Sequence, residues 1–261
     1  MNNSPTIKKT KDGSTTLYSN QFEQHYHNPN GAVSESRHVF FETPAVPAAL
    51  SKKKELNVFE VGFGTGLNLI LLLDYLEKTK SHTKITFHSV EAFPVDIETA
   101  GRFDFGENLQ ALQPFKILSE IFGNLQPGMN QLTITDQVQL KLFVGFFDAH
   151  PVTSTQAEDT SPFDFIFHDA FSPEVNADLW TPEVFRHLAK VSRPDAVLST
   201  YCAATSARAA MAVAGWKVAR AQGALGKREM TVASLDPENL NDFKRVNEKR
   251  LVERFEKGDF G

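Results

Sequence analysis

Three short stretches carry residue types that could do chemistry. The first is Glu60-Val61-Gly62-Phe63-Gly64-Thr65-Gly66-Leu67-Asn68, where three glycines alternate behind an acid and open onto an apolar run. Glycine lets a backbone turn tightly and approach a ligand with no Cβ in the way. A dinucleotide fingerprint reads G-x-G-x-x-G and sets its pyrophosphate on a helix N-terminus. Here the spacing is G-x-G-x-G, which suits a ligand with an amino-acid tail and no phosphates. The second stretch ends in Glu91, 25 residues beyond Gly66. An acid there can accept both hydroxyls of a ribose, or it can be a surface glutamate at a strand end. The third is Phe163-Asp164-Phe165-Ile166-Phe167-His168-Asp169-Ala170-Phe171-Ser172-Pro173. Asp169 falls at the carboxyl end of an apolar segment, where open α/β sheets hold their ligands, and can hold an amine or a base edge. His168 points to the opposite face if the strand persists and reads as structural.

These residues need elements to position them. Leu56–Val61 reads as a strand that runs into the glycine turn, and Leu67–Leu76 as the helix behind it. Lys84–Val90 is a second strand, followed by helical segments over Val95–Phe103 and Glu107–Phe122. Val138–Val144 alternates apolar and polar residues as a third strand, Thr153–Ser161 is a polar loop, and Phe163–Phe167 and Ala196–Tyr201 are the fourth and fifth strands. Thr181, Pro182 and Glu183 mark a helix start, and a helix over Ala204–Ala214 stops at Gly215. Trp216–Arg220 and Met230–Leu235 then read as two strands joined by a glycine-containing loop. At the other end, Asp12-Gly13 between β-prone flanks predicts a hairpin over Thr6–Tyr18, followed by a polar, aromatic-rich stretch to Ala49.

Strands alternating with helices predict an α/β fold: a parallel sheet covered on both faces and closed by an antiparallel hairpin. That is the outline of a class I methyltransferase, a Rossmann-like seven-stranded sheet, and many dinucleotide-binding folds share it. With this outline, the three signals indicate S-adenosylmethionine better than NAD. We divide the chain into an N-terminal extension over 1–50, carrying the hairpin and a lid, a methyltransferase domain over 51–235, and a charged tail over 236–261 that reads as a surface helix.

Composition narrows the classes. With 41% hydrophobic and 23% charged residues, the 261-residue chain has the balance of a folded globular protein. Its single cysteine, Cys202, excludes an intrachain disulfide and a cysteine-rich zinc site, and no metal is expected. Met1 to Thr10 is polar, without the apolar core of a signal peptide, and the longest aliphatic run, Leu69 to Leu73, falls far short of the ~20 residues that span a bilayer. A cytoplasmic protein with no membrane partner is the expectation. The net charge of −5 argues against generic nucleic-acid binding. Yet between Arg186 and Met230 eight Lys or Arg stand against only Asp195 and Glu229. Such clustering is either a solvated face or a local site for phosphates.

Several of these motifs together resemble one family. Gly62-Phe63-Gly64-Thr65-Gly66-Leu67-Asn68, Glu91-Ala92-Phe93-Pro94, His168-Asp169-Ala170-Phe171-Ser172-Pro173 with Asn176, Leu179-Trp180-Thr181 and Gly226-Lys227-Arg228-Glu229-Met230 are similar, in this order, to the methyltransferase domain of the MnmC/MnmD family. Glu35-Ser36-Arg37-His38-Val39-Phe40 resembles that family's lead-in, and the likeness runs from about Tyr18 to Leu235. It implies S-adenosylmethionine-dependent methylation of the 5-aminomethyl group of (2-thio)uridine at the tRNA wobble position, with the anticodon loop as partner. It also implies a standalone methyltransferase without the FAD-dependent oxidase of the bifunctional members, so that a separate oxidase would act upstream. The resemblance places cofactor-binding roles on Glu35, Glu60, Gly62, Gly64, Gly66, Asn68, Glu91 and Ala92, and both cofactor and catalytic roles on Asp169. The family commonly shows Gly-Asp after the third strand. Here the order is Gly145-Phe146-Phe147-Asp148, so Asp148 would contact adenine only after a two-residue shift.

For the RNA, Phe171, Trp180 and Tyr201 are either stacking platforms or core residues, and Lys227 and Arg228 either phosphate contacts or solvated charges. Two other classes remain open on these residues: a methyltransferase for a small-molecule amine, and a catalytically silent RNA- or cofactor-binding module.

Overall fold

The computed structural model describes residues 5–153 and 162–260; apart from Thr153, the expected polar loop before the fourth strand lies outside them. The chain opens with the expected hairpin, β1 (Thr6–Lys9) against β2 (Thr15–Ser19), and a short β3 (Gln24–His25) adds to β2. Helix α1 (Ala32–Ser36) continues through a π-helical turn over Arg37–Glu42 towards α2 (Val46–Leu50).

Then comes the alternating body: β4 (Glu55–Val61), α3 (Leu67–Thr79), β5 (Lys84–Glu91), α4 (Ile97–Ala100), α5 (Pro114–Asn124), β6 (Gly128–Thr133), β7 (Val138–Val144), β8 (Phe163–His168), α6 (Pro182–Val191), β9 (Ser192–Thr200), α7 (Thr205–Val213), β10 (Lys217–Gln222), β11 (Glu229–Ser234), β12 (Lys244–Arg245) and α8 (Glu248–Glu256). The large sheet runs β12-β10-β11-β9-β8-β4-β5-β7-β6. Its centre, β9-β8-β4-β5-β7, is parallel. The expected hairpin of β10 and β11 is present, and β11 lies between β10 and β9, antiparallel to both.

The local reasons are legible. Helix α3 buries every residue from Leu67 to Leu76, as a helix apolar on all sides must. Each such leucine contributes about 1.5–3 kcal/mol through apolar burial. Its one buried acid, Asp74, takes Arg37 Nη2 at 2.6 Å and Lys78 Nζ at 2.9 Å, which ties the N-terminal helical segment to α3. Leu17, Val39, Phe40 and Phe41 share the hydrophobic cluster that contains α3. Thr181 caps α6 by accepting from Val184 N, with Pro182 at its start.

Four elements differ from expectation. The helix expected over Glu107–Phe122 breaks, because Pro114 cannot extend a preceding helix and Gln113 turns left-handed at φ 50°. A 3-10 turn over Glu107–Leu112 is left before α5. The segment Val95–Phe103 holds only the single-turn α4, capped by Asp96. The edge strand β6, pairing antiparallel with β7, carries polar residues that gave no strand signal. Finally, among the described residues the tail is α-helical only over α8; ahead of it come a 3-10 turn over Pro237–Leu240 and β12, which extends the sheet beside β10.

Candidate active site

The parallel strands of the central sheet end at one level. Val61 lies beside Val90 and His168 in register, and Glu91 beside Val144, so Gly62, Glu91, Gly145 and Asp169 leave the sheet along one crest. The backbone binds this crest together: Gly62 N donates to Val90 O at 3.0 Å, Asp169 N to Val61 O at 2.9 Å and Gly145 N to Glu91 O at 2.9 Å. Above it lies a cavity of about 610 Å³.

The glycine turn is shaped by what surrounds it. Gly62 has φ +94°, and a Cβ there would come within 2.8 Å of the Asp169 carbonyl oxygen. Gly64 has φ +54°, and a Cβ would sit 3.3 Å from the Tyr26 ring. Gly66 begins α3 and is backed by Leu118 and Phe63, away from the cavity lining.

Of the residues singled out from sequence, Gly62, Gly64, Asn68, Glu91, Ala92, Asp148, Asp169, Phe171 and Tyr201 line the cavity. The Glu91 carboxylate accepts Gly64 N at 2.8 Å through Oε2 and Phe93 N at 2.8 Å through Oε1. Asp148 sits exposed in the turn Phe147–Ala149.

Behind the lining, Glu60 is fully enclosed: Ser89 Oγ donates to its Oε2 at 2.7 Å and Asn68 Nδ2 to its Oε1 at 2.9 Å. Asn68 Nδ2 also donates to Asp169 Oδ2 at 3.0 Å. Burial pushes Glu60 up to about 8, against the opposing hydrogen bonds from Ser89 and Asn68. Burial, helped by the neighbouring Glu60 and Glu35, also holds Asp169 well above the usual carboxylate range. Glu91 is raised by burial as well. A cavity walled by desolvated acids favours a positively charged occupant, which restores their ionised forms.

Glu35 and Lys227 form one unit beside the cavity. Lys227 Nζ donates to Glu35 Oε1 at 2.6 Å and lies 5.2 Å from the centre of the Tyr201 ring. Glu35, 7% exposed, also accepts Asn28 N and Asn28 Nδ2. Tyr201 is fixed by its hydroxyl, which donates to Ala170 O at 2.8 Å. Arg228, next to Lys227, is exposed. Trp180 is 5% exposed and does not line the cavity. Its Nε1 donates to Phe171 O at 2.8 Å and its ring packs on His168, so its place is under the Asp169–Pro173 loop. His168 Nε2 donates to Leu179 O at 3.0 Å, and burial holds its pKa down to about 4.

The sequence reading missed an aromatic strap. Phe22 touches Phe171 at 4.7 Å and Phe93 at 5.7 Å between ring centres, Tyr26 meets Phe171 at 5.0 Å, and Phe93 meets Phe146 at 5.7 Å. All of these rings line the cavity, and Phe93 and Phe146 are 42% and 62% exposed. The one available signal was the aromatic-rich stretch after the N-terminal hairpin, which carries no spacing of its own.

Comparison with known proteins bears on the identity of this site. A family described as S-adenosyl-L-methionine-dependent methyltransferase matches residues 111–236. The bifunctional protein MnmC of tRNA 5-methylaminomethyl-2-thiouridine biosynthesis from Cupriavidus metallidurans is 31% identical over 225 residues, covering 85% of this chain and 33% of the relative. MnmC from Leptospira interrogans is 32% identical over 231 residues, covering 84% of this chain and 34% of the relative. The crystal structure of MNMC2 from Aquifex aeolicus superposes with a TM-score of 0.74 at 24% identity, covering 96% of this chain and 75% of that one. The chain is related to MnmC over the span they share. It spans about a third of the length of the MnmC relatives it matches.

The cofactor of the matched methyltransferase family is S-adenosylmethionine, and the cleft fits it. Asn68 Oδ1 is buried with no hydrogen-bond partner among the described residues, an acceptor in want of a donor such as the ligand's amino group. The surface left bare at Gly64 lies between the Tyr26 ring and the Glu91 carboxylate. Among the described residues no group of three or more His, Cys, Asp or Glu is placed to hold a metal ion, and no helix is long and apolar enough to cross a membrane.

Proposed function

We propose that this protein methylates the 5-aminomethyl group of (2-thio)uridine at the wobble position of tRNA, giving 5-methylaminomethyl-(2-thio)uridine. The reading is supported by the likeness to MnmC and, within the molecule, by one observation above the others. Asp169, an acid of raised proton affinity, lies on the same cavity as the glycine turn and Glu91, with exposed aromatic rings around them.

Glu91 would hold the ribose hydroxyls of the cofactor, Ala92 and Asp148 its adenine, and Asn68 and the Gly62–Gly66 turn its amino-acid end. When bound, S-adenosylmethionine supplies a methyl group already activated by its sulfonium. The substrate is a primary amine of ordinary pKa near that of lysine, about 10, and is mostly protonated at neutral pH. Asp169 accepts an N–H of this amine, aims its lone pair into the cavity and takes up the proton that nitrogen must shed. Its raised proton affinity narrows the mismatch with the amine, which helps a general base. Much of the acceleration is then positioning. Glu60 and Asn68 position Asp169, and the Glu35–Lys227 pair sets the charge beside it. The base, drawn from a single-stranded loop, stacks on Phe171 and Tyr201. Arg228, exposed beside Lys227, would take a phosphate. A separate oxidase acting upstream supplies the aminomethyl group, in the cytoplasm.

The test uses tRNA from cells lacking this protein, with mass spectrometry of wobble nucleosides. Aminomethyluridine should accumulate there and be converted on adding the wild-type protein. Asp169→Ala should abolish conversion while S-adenosylmethionine binding, followed by calorimetry, changes only a few-fold. Methylation of a small amine with tRNA untouched, or an Asp169→Ala variant as active as wild type, overturns the reading.

A further inference from the structure

A second cavity, of about 280 Å³, lies between α7, α8 and β10 and is walled by Arg208, Arg220, Arg250 and Arg254 over an apolar floor of Val246 and Leu251. Among the described residues no carboxylate lines it. The neighbouring acids leave it cationic. Glu229 is shared by Arg208 Nη1 at 3.0 Å and Arg220 Nη1 at 3.4 Å, and Asp259 takes Arg254 Nε at 2.9 Å. Arg250 is exposed, and among the described residues its guanidinium has no ion pair. Thr205 and Asn247 complete the lining, and each stands at the start of a nine-residue helix. The start of α7 has no side-chain cap and presents its positive dipole end to the groove, whereas Asn247 caps α8 by accepting from Arg250 N.

Position ties this groove to the active site. Arg220 is in register with Thr231, and Thr231 with Thr200, the residue before Tyr201. Arg208 Nε donates to Thr231 Oγ1 at 2.9 Å, and Thr231 Oγ1 donates to Cys202 O. The groove therefore sits at the same end of the sheet as Asp169, three strand steps away through β9, β11 and β10. At ~4.8 Å per strand that is about 14 Å. A protein of net charge −5 repels a polyanion at long range and needs a local cationic groove to seat one. Guanidinium forks match phosphate oxygens in pairs.

We propose that the groove of Arg208, Arg220, Arg250 and Arg254 binds backbone phosphates of the RNA substrate, a few nucleotides along the strand from the base that enters the catalytic cavity. The assignment rests on the reading of the substrate as RNA. Arg208, buried and paired, frames the groove, while Arg220 and Arg250 face the phosphate.

The experiment measures binding of an unmodified anticodon stem-loop RNA to the full chain by fluorescence anisotropy across a salt series. Alongside it runs methylation of the same stem-loop carrying aminomethyluridine. Arg220→Ala with Arg250→Ala should weaken binding about tenfold or more and flatten the log–log salt slope by about 1 to 2. In the methylation assay, KM should rise and kcat hold. Arg250→Ala alone, at an exposed position, should show a smaller loss in the same direction and covers the case in which the double variant folds poorly. Lys116→Ala, on the exposed face of α5, should bind as wild type. Unchanged affinity and slope in Arg250→Ala and in a folded double variant, or an equal loss in Lys116→Ala, overturns the proposal. Wild-type protein that methylates the stem-loop while the groove variants bind normally leaves the proposed function standing and removes the groove. Groove variants that lose RNA binding, with no methylation by wild type, do the reverse.

Discussion

Glu60 and Asp169 share one donor: the Asn68 amide gives one hydrogen to Glu60 Oε1 at 2.9 Å and the other to Asp169 Oδ2 at 3.0 Å. Two enclosed acids this near each other resist ionising together, and Glu60 raises the proton affinity of Asp169. The amide holds them in place, and its own oxygen is left for a ligand.

Asn68→Leu keeps the volume and removes the donor. The hydrogen bond from Asn68 lowers the pKa of Asp169, so its loss should move the pH–rate profile for methyl transfer to higher pH. Turnover at neutral pH should drop at least about tenfold, in the range of one charge-assisted hydrogen bond, and stability should fall by about 1–3 kcal/mol. A pH profile superimposable on wild type would show that Asn68 does not position Asp169.

The pH dependence of stability follows from Glu60. Its folded pKa, about 8, lies above its unfolded value, so the folded state keeps a proton that the unfolded state releases. Stability therefore falls as pH rises from the ordinary glutamate range to about 8, and the loss is complete above that. Asp169 and Glu91, also raised, act with the same sign. Buried His27, His88, His150 and His168, held down to about 4, 3, 4 and 4, act with the opposite sign up to the ordinary imidazole range. Thermal melts of the ligand-free protein should therefore show Tm falling between about pH 7 and 8, and Glu60→Gln should flatten that fall. A Glu60→Gln curve parallel to wild type over this window contradicts the assignment.

Gly62→Ala places a methyl group 2.8 Å from the Asp169 carbonyl, at a φ that side chains rarely adopt. The backbone of Asp169 must shift to accommodate it. We expect a loss of about 1–3 kcal/mol in stability and a fall in kcat larger than the change in cofactor Kd. Gly64→Ala meets only the edge of Tyr26, at 3.3 Å, and should weaken cofactor binding instead. Equal effects of the two substitutions on kcat would count against the separation.

Lys227 is bound to Glu35 across 192 residues of sequence. Lys227→Met leaves a buried carboxylate without its cation, and Glu35→Gln leaves the converse, while the double variant removes both charges. The double variant should be more stable than the sum of the singles predicts, with a coupling of about 1–3 kcal/mol. Because Lys227 also lowers the pKa of Asp169, the Lys227→Met pH–rate profile should move upward. Additive stabilities would show that the pair contributes nothing as a pair.

The parallel strands β4, β5, β7 and β8 could be read from the chain because each is a local apolar run ended by a glycine or an acid. The strand Val138–Val144, the start of α6 at Pro182 and the opening of α3 at Leu67 coincide with the sequence reading for that reason. Strand β6 could not be read this way, since its polar residues are held by pairing with β7 alone. The broken helix before α5 shows the limit of periodicity, where one proline outweighs the apolar pattern around it.

Residue type and spacing alone therefore marked the glycine turn, Glu91 and Asp169, because strand ends in an alternating α/β chain must fall at one edge of a sheet. Only the tertiary structure decided which distant groups meet there. It set Lys227 on Glu35, Phe22 between Phe93 and Phe171, Trp180 beneath the loop, and four arginines from three elements around one groove. These contacts depend on strand order and on how helices fold back over the sheet. Local hydrophobic periodicity, which senses neighbours a few residues apart, carries no record of either.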